Sequence, residues 1–367
     1  MYLEHLSLLN FKNIEQAQLD FVTGINALVG DNGAGKSNIL DAIYLLSMCK
    51  SMLPIPDSGC VRHTTDFFIV DGRYQVEPQR HETVSCSYSA QRSGGKVVKR
   101  NGKEYERLSD HVGMIPVVVV SPYDSALISD SAEERRRFLN QLISQFDPTY
   151  LSALIRYNAL LAQRNQVLKS GGDESMLVIY DQQIAPYAHT IEQSRRATLD
   201  RMVPMICRYY ELLSGGREEV GLEYRSQLSG GNFEELLLAS RQRDVMSGFS
   251  TVGVHRDDVI FKIGGYPLRK YGSQGQQKSF LVALKLAQYQ LVSEVKGARP
   301  TLLLDDLFDK LDRGRVEQLI RLVSGDDFGQ IFISDCNQER LRTILDKAET
   351  DYRLFTISGG ETSQVAK

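Results

Sequence analysis

Short apolar runs alternate with longer amphipathic stretches along this chain of 367 residues, which predicts a mixed α/β fold. Runs with strand character lie at 1–10, 16–21, 24–29, 67–74, 83–89, 96–103, 116–120, 220–226, 251–263, 267–271, 301–304, 330–334 and 352–357. Stretches with helical spacing lie at 38–48, 132–144, 148–168, 175–213, 232–243 and from 274 onwards. The two longest helical stretches flank Gly171-Gly172 and predict an antiparallel arm, in effect a short coiled coil. Pro186 and Pro204 are expected to kink or break its second helix.

The strand at 24–29 and the helix at 38–48 enclose a complete G-x-x-x-x-G-K-S sequence, Gly30-Asp31-Asn32-Gly33-Ala34-Gly35-Lys36-Ser37. A loop of this kind between a strand and a helix lets backbone N–H groups wrap around the phosphates of a nucleotide. We expect Lys36 to reach the β- and γ-phosphates of ATP and the Ser37 hydroxyl to bind Mg²⁺. The alternative is a glycine-rich turn without a ligand, which the Lys-Ser pair and the flanking elements disfavour.

Two carboxylates follow the apolar run at 301–304, namely Asp305 and Asp306. A buried strand would deliver them at the carboxyl edge of a parallel sheet, where α/β folds bind nucleotides. Asp305 is then the Mg²⁺ partner of Ser37, and Asp306 orients or deprotonates the attacking water. A core strand followed by an acidic helix cap is the alternative for this segment alone.

A second anion site is predicted where Ser273-Gln274-Gly275-Gln276 opens a strongly periodic helix, although a simple Ser/Gly helix cap fits the same residues. The order of the three motifs resembles that of ABC-type ATPases, in which Ser-x-Gly-Gln closes on the γ-phosphate held by the other subunit. That resemblance implies an ATP-dependent homodimer with Ser273, Gly275 and Gln276 at the nucleotide. Leu311-Asp312 resembles the D-loop of the same class.

Composition narrows the partners and the compartment. Hydrophobic residues make up 42% and charged residues 24% of the chain, and the net charge is −3, so any nucleic-acid contact must use local basic patches. Five scattered cysteines without a C-x-x-C pair favour reduced thiols and a cytoplasmic location. No signal-peptide pattern opens the sequence and no apolar run approaches the roughly 18 residues of a membrane helix, so we expect no membrane association.

The nucleotide motifs come from both ends of the chain, with a helical insertion between them. We expect an ATPase lobe I at 1–122 and 297–367, and a helical arm with lobe II at 123–296 carrying the Ser-x-Gly-Gln motif. This layout resembles the SMC-like branch of the ABC ATPases, whose long members carry a huge coiled coil as the insertion. The expected fold class is therefore an α/β P-loop ATPase head of ABC/SMC type with an inserted helical second lobe.

Six stretches spread over nearly the whole chain point to a particular family more specifically than the nucleotide motifs do. They are Leu6-Ser7-Leu8-Leu9-Asn10-Phe11-Lys12-Asn13, residues 30–43, Val120-Ser121-Pro122-Tyr123-Asp124, Arg135-Arg136-Arg137-Phe138-Leu139, Gly253-Val254-His255-Arg256-Asp257-Asp258 and Ser273-Gln274-Gly275-Gln276-Gln277-Lys278. Together they resemble the RecF family of bacterial recombination mediators. The chain departs from the family pattern at Lys12, Ser51-Met52-Leu53 and Lys310. No switch histidine of the transporter type follows 331–333, which leans away from transporters.

The resemblance implies an ATP-dependent DNA-binding protein of recombinational repair, replication restart and SOS induction. Two subunits would close head to tail on ATP, and weak, DNA-stimulated hydrolysis would release the DNA. The implied partners are single-stranded or gapped DNA, bound without sequence preference, and other recombination-mediator proteins. Two other classes stay open, the soluble ATPase subunit of a transporter and a chromosome-organising SMC-like head.

Three charged groups have open roles. Arg135-Arg136-Arg137 forms either a DNA contact or, more commonly for such triplets, a solvated face. Arg92, Lys96, Lys99, Arg100 and Lys103 lie on a predicted hairpin and could form a basic stripe. His255-Arg256-Asp257-Asp258 fits either a dimer or nucleotide face, or a buried ion-pair turn.

Overall fold

The computed structural model describes residues 1–92, 94–216, 218–306, 313–347 and 351–365. The chain divides into two compact units, one formed by Met1–Tyr123 with Gln288–Lys367 and the other by Asp124–Ala287. Both ends of the chain therefore build the first unit, and the insertion builds the second. The second division falls inside a helix at 287/288, whereas the sequence places the lobe boundary after that helix, at 296/297.

The strands and helices follow the predicted order. The strands are β1 Tyr2–Phe11, β2 Ile14–Asp20, β3 Ile25–Val29, β4 Phe67–Glu77, β5 Arg80–Ser89, β6 Lys96–Arg100, β7 Lys103–Glu104, β8 Val117–Val120, β9 Val220–Arg225, β10 Asp258–Ile263, β11 Tyr266–Pro267, β12 Thr301–Leu304, β13 Ile331–Asp335, β14 Tyr352–Ser358 and β15 Glu361–Val365. The helices are α1 Lys36–Met48, α2 Ala126–Ser129, α3 Ala132–Ser144, α4 Pro148–Lys169, α5 Glu174–Ser214, α6 Phe233–Ser247, α7 Leu268–Tyr271, α8 Gln274–Lys296, α9 Arg313–Val323 and α10 Gln338–Lys347.

The first unit contains two six-stranded sheets. The central sheet has the order β15-β14-β3-β13-β12-β8 and is parallel apart from the edge strand β15. The other sheet, β2-β1-β4-β5-β6-β7, is antiparallel, and its apolar residues share one core with α1, β3, β13 and β14. The parallel arrangement brings the carboxyl ends of β3, β12 and β13 to one edge of the central sheet, where the predicted nucleotide residues follow them.

The second unit combines the helical arm with a three-stranded sheet of order β11-β10-β9. Helices α4 and α5 pack along each other on either side of the Gly171-Gly172 turn, as predicted. The fully buried Arg164 of α4 pairs with Asp181 of α5 at 2.7 Å and with Asp244 of α6 at 2.8 Å, and so joins the three helices. Such a buried ion cluster specifies how helices meet, because each charge is costly without its partner.

The sequence expectations for two segments of the second unit have different outcomes. Helix α5 runs for 41 residues through Pro186 and Pro204, so neither proline breaks it. The run 267–271 is not a strand, because β11 ends at Pro267 and helix α7 begins at Leu268.

No helix among the described residues combines the length and the apolar character needed to cross a bilayer.

Candidate nucleotide-binding site

The loop between β3 and α1 has a backbone that only glycine fits at its first position. A Cβ on Gly30 would lie 2.1 Å from the carbonyl oxygen of Ile357 on β14, far inside van der Waals contact. Gly33 and Gly35 have φ values of +80° and +120°, which other L-residues rarely adopt. The glycines therefore set the path of the loop between the sheet and the helix.

Helix α1 begins at Lys36, and its first turn has no side-chain cap. Its N-cap is Gly35, which supplies no side-chain hydrogen bond to the first turn. The Lys36 ammonium is buried and donates to the carbonyl oxygens of Gly30 and Asp31, both at 2.9 Å. A helix start with uncapped N–H groups and a lysine folded over the loop has the donor set that a phosphate chain needs.

Two asparagines that sequence reasoning did not single out support the loop from one side. The Asn13 amide donates to the Gly33 carbonyl oxygen at 3.2 Å and accepts from the Asn38 amide at 2.7 Å. The neighbouring Lys12 pairs with the buried Asp41 of α1. The opening Asn-Phe-Lys-Asn stretch was read only as a family resemblance, yet it contains the residues that join β1 to the phosphate loop.

The carboxylate of Asp305 lies beside Ser37, as the sequence predicts. The Ser37 hydroxyl donates to Asp305 Oδ1 at 2.8 Å, and the Ser334 hydroxyl from the end of β13 donates to the same oxygen at 2.7 Å. Burial raises the pKa of Asp305 above its ordinary value, while the two hydroxyls and the Lys36 charge partly oppose that rise. A buried carboxylate with a raised pKa gains most from a bound cation.

Asp306 adopts a left-handed backbone, with φ at +43°. Its N–H donates to the Ser334 hydroxyl at 2.9 Å, so that one hydroxyl connects the backbone of Asp306 to the carboxylate of Asp305. A non-glycine residue with positive φ is strained and persists only where its surroundings hold it. Ser334 was missed because the sequence was searched at this strand end only for a switch histidine.

A metal at this site would have few protein ligands. Among residues 1–92, 94–216, 218–306, 313–347 and 351–365, no group of three or more His, Cys, Asp and Glu side chains is arranged to hold a metal ion. One hydroxyl and one carboxylate fit Mg²⁺, which usually keeps several waters and takes further ligands from substrate phosphates.

The Ser-x-Gly-Gln motif lies in the second unit, at the start of α8. The exposed Ser273 and the half-buried Gln276 cap each other: Gln276 N–H donates to Ser273 Oγ at 3.3 Å, and Ser273 N–H donates to Gln276 Oε1 at 2.6 Å. The Gln276 amide also donates to Glu218 at 2.7 Å. The single chain thus displays the reciprocal helix cap, and the role of Ser273, Gly275 and Gln276 at a nucleotide stays a prediction. Leu311-Asp312 lies outside the described residues.

The three arginines of the basic triplet on α3 all bond to other groups of the protein. Arg135 makes a bidentate pair with Asp258, at 2.6 and 3.1 Å, and Arg136 donates to the carbonyl oxygen of Asp257 at 2.7 Å. Arg137 pairs with Glu134 at 2.6 Å. The bonds of Arg135 and Arg136 connect α3 to the 253–258 turn, whose residues lie far away in sequence.

The 253–258 turn itself is a buried ion-pair turn. Asp257 accepts from Arg195 at 2.8 Å, and both side chains are almost fully buried. His255 contacts the Tyr157 hydroxyl at 2.7 Å, and burial lowers the pKa of His255 to about 4, so that its ring is neutral near pH 7.

The predicted basic stripe on the β6–β7 hairpin is largely neutralised. Lys96 pairs with Asp57, Arg100 with Glu82, and Arg92 with Glu104. Acidic residues distant in sequence cancel these charges, which a count of basic residues on one hairpin cannot reveal.

Comparisons with known proteins agree with this geometry. A family model described as "RecF/RecN/SMC N terminal domain" matches residues 2–362. The chain is 44% identical over 367 residues to the "DNA replication and repair protein RecF" of Bacteroides thetaiotaomicron, covering 100% of this chain and 99% of that protein. A solved structure of the recombination mediator protein RecF with ATP, of the RecFOR pathway, has a TM-score of 0.89 at 28% identity and covers 100% of this chain and 98% of that chain.

The fold extends to more distant ATPases. A Smc head domain from Pyrococcus furiosus has a TM-score of 0.59 at 17% identity, with 99% of this chain and 96% of that chain covered. A likeness at this identity concerns the fold alone. The expected α/β ATPase head of ABC/SMC type with an inserted helical lobe is confirmed.

Replacing Ser334 tests whether its hydroxyl positions the two aspartates. In Ser334→Ala, Asp305 loses a donor and the Asp306 N–H loses its acceptor. We expect kcat for ATP hydrolysis to fall about tenfold, the equivalent of one lost hydrogen bond of about 1.4 kcal/mol, with little change in the KM for ATP. Ser334→Thr keeps the hydroxyl and should restore kcat. A threonine variant as slow as the alanine variant, with both melting like the wild type, would contradict the positioning role.

Proposed function

This chain belongs to the RecF family within the RecF/RecN/SMC group of ATPases, and on that premise we propose that it is an ATP-dependent DNA-binding protein of recombinational repair. The observation that carries the nucleotide part is the meeting of Ser37 and Asp305, 268 residues apart in sequence, beside a helix start without a side-chain cap. A solved relative, the recombination mediator RecF, is described with ATP. We infer that residues 30–37 bind the phosphates of ATP in this chain.

Mg²⁺ is the metal that these residues fit. Ser37 and Asp305 supply two oxygen ligands, and the burial of Asp305 favours a cation beside it. Bound Mg²⁺ neutralises charge on the transferring phosphoryl group. Lys36 binds the phosphate chain, while Asp306 orients or deprotonates the attacking water.

We propose that ATP closes two copies of the chain head to tail. Ser273 is exposed at the start of α8, and its N–H group and hydroxyl are held at a helix N-terminus suited to an anion. In this arrangement the Ser273 motif of one copy reaches the γ-phosphate held by the loop of the other. Slow, DNA-stimulated hydrolysis of ATP then opens the dimer and releases the DNA.

The closed dimer binds single-stranded or gapped DNA without sequence preference. The net charge of −3 requires that local patches supply the contact. Curated relatives are DNA replication and repair proteins, and a solved relative is a mediator of the RecFOR pathway, which supports other recombination mediators as partners. We extend the role to replication restart and SOS induction in the cytoplasm.

The two alternative classes have less support, because the likeness to a Smc head domain, at 17% identity, concerns the fold alone. At the end of β13, where a transporter ATPase carries its switch histidine, this chain has Ser334 bonded to Asp305, and Asp335 paired with Arg340. The inserted arm consists of α4 with 22 residues and α5 with 41, much shorter than the coiled coil of a chromosome-organising ATPase.

The test of the proposed function is DNA retention that depends on ATP. We expect the wild type to hold single-stranded and gapped DNA with ATP and Mg²⁺ but not with ADP. Lys36→Met removes the ammonium that donates across the loop and should weaken ATP binding by about tenfold or more, the value of a lost charged hydrogen bond, and abolish retention. Lys296→Met, which removes an exposed lysine at the end of α8, is the matched control. Wild-type ATP affinity in Lys36→Met would contradict the phosphate-loop assignment.

The two adjacent aspartates should separate binding from hydrolysis. Asp306→Asn retains a side chain that tolerates positive φ, so it should bind ATP, hydrolyse it at least about tenfold more slowly, as loss of a general base does, and stay on DNA longer. Asp305→Asn removes the charge beside Ser37 and should instead raise the Mg²⁺ concentration needed for ATP binding. Single-turnover hydrolysis and DNA dissociation are measured for both. Hydrolysis at the wild-type rate in Asp306→Asn would assign the base to another group.

A further inference from the structure

One segment of the chain, residues 259–293, carries basic side chains but no acidic ones. Between Asp258 and Glu294 the sequence contains no Asp or Glu, although the whole chain carries 46 of them. The segment contains five cationic residues, Lys262, Arg269, Lys270, Lys278 and Lys285. A chain with a net charge of −3 that concentrates positive charge in this way presents a local attraction for a polyanion.

Two of these cations are exposed and have no carboxylate partner among the described residues. Lys262 is neutralised by Glu223 at 2.6 Å and Lys285 by Asp124 at 2.7 Å. Arg269 and Lys270 on α7 are exposed, and within the described part of the chain neither pairs with a carboxylate. Their charge is therefore available to a partner in solution.

Two tyrosines flank these cations on the surface. Tyr266 on the edge strand β11 is 62% exposed, and Tyr271 at the end of α7 is 56% exposed. Their ring centroids lie 5.3 Å apart with an interplanar angle of 51°, and the Lys270 ammonium lies 5.4 Å from the Tyr271 ring centroid. Both tyrosines are more than half exposed to solvent, beside two positive charges.

We propose that Tyr266, Arg269, Lys270 and Tyr271, here termed the aromatic platform, bind unpaired DNA. The rings stack on bases, and the two cations contact the adjoining phosphates. Duplex DNA keeps its bases stacked on one another and offers no free face, so the platform distinguishes the unpaired strand of a gap from its duplex flanks. The proposal rests on the proposed function, since it assigns a surface to the DNA contact.

Gly272, the residue between the platform and Ser273, is held by hydrogen bonds at both its N–H group and its carbonyl oxygen. The Gly272 N–H donates to the Leu268 carbonyl oxygen at 2.9 Å, and the Gln277 amide of α8 donates to the Gly272 carbonyl oxygen at 2.9 Å. We expect a base stacked on Tyr271 to restrict the backbone of Gly272, the one residue between Tyr271 and Ser273. Unpaired DNA should therefore stimulate ATP hydrolysis more than duplex DNA does.

Removing the rings should weaken the binding of unpaired DNA selectively. With ATP and Mg²⁺, the double variant Tyr266→Leu/Tyr271→Leu should bind a fluorescent oligothymidylate about tenfold more weakly, as loss of base stacking does, and bind a blunt duplex as the wild type does. The variant Tyr266→Phe/Tyr271→Phe retains both rings and should bind normally. Tyr123→Leu, which removes a tyrosine 61% exposed outside the platform, is the matched control.

The cations should be visible in the salt dependence. The slope of log Kobs against log salt concentration is negative, and Arg269→Ala/Lys270→Ala should reduce its magnitude by about 1.4 for the oligothymidylate. Each phosphate contact on a single strand contributes about 0.7 to that magnitude. Arg156→Ala, an exposed arginine on α4, should leave the slope unchanged.

Three results overturn the platform, and they are distinguishable. If the wild type retains oligothymidylate with ATP and the double leucine variant retains it equally, the platform is wrong and the proposed function stands. If the leucine variant loses ATP-dependent dimerisation together with DNA binding, the rings belong to the contact between subunits. If the wild type binds ATP but no DNA, the proposed function fails and the platform fails with it.

Discussion

The buried carboxylate of Asp305 is the constraint on which the candidate site depends. A carboxylate that is 2% exposed is stable only with hydrogen-bond donors around it, and here both side-chain donors are hydroxyls, Ser37 on α1 and Ser334 on β13. Because these elements are far apart in sequence, the site exists only when the central sheet is assembled. Burial raises the pKa of the same carboxylate, and in the proposed site a bound cation would stabilise its charged form.

The first unit contains only part of the machinery that the sequence motifs predict. The phosphate loop and both aspartates belong to the unit built from the two ends of the chain, while Ser273 belongs to the inserted unit. Ion pairs such as Arg195–Asp257 and Arg135–Asp258 stabilise the inserted unit around α3, α5 and β10. In the proposed dimer, a composite site formed by two copies would account for both motifs with one nucleotide, and would make DNA binding depend on ATP.

Local sequence predicted the elements whose signal lies within a few residues. Residues 24–48 show the strand, the loop and the helix together, and 301–306 show a buried strand with its carboxylates. The supporting contacts were missed, because Asn13 and Ser334 act on residues far away in sequence and look like ordinary polar residues. The charges of Arg135 and Arg136 were misread for the same reason, since Asp257 and Asp258, more than 120 positions away, accept their hydrogen bonds. A break at the prolines of α5 did not occur, since the helix continues through both of them.

The central claim, that one copy's Lys36 and another copy's Ser273 serve the same nucleotide, is tested most directly by mixing two inactive variants. Lys36→Met and Ser273→Arg should each fail to form an ATP-dependent dimer that hydrolyses ATP. A mixed dimer contains one intact site, with the loop of the Ser273→Arg copy and the motif of the Lys36→Met copy. Mixing the two variants should therefore restore ATP-dependent dimers, measured by size-exclusion chromatography with ATP and Mg²⁺. It should also restore part of the ATP hydrolysis. A mixture no more active than either variant alone, although both are folded, would contradict it.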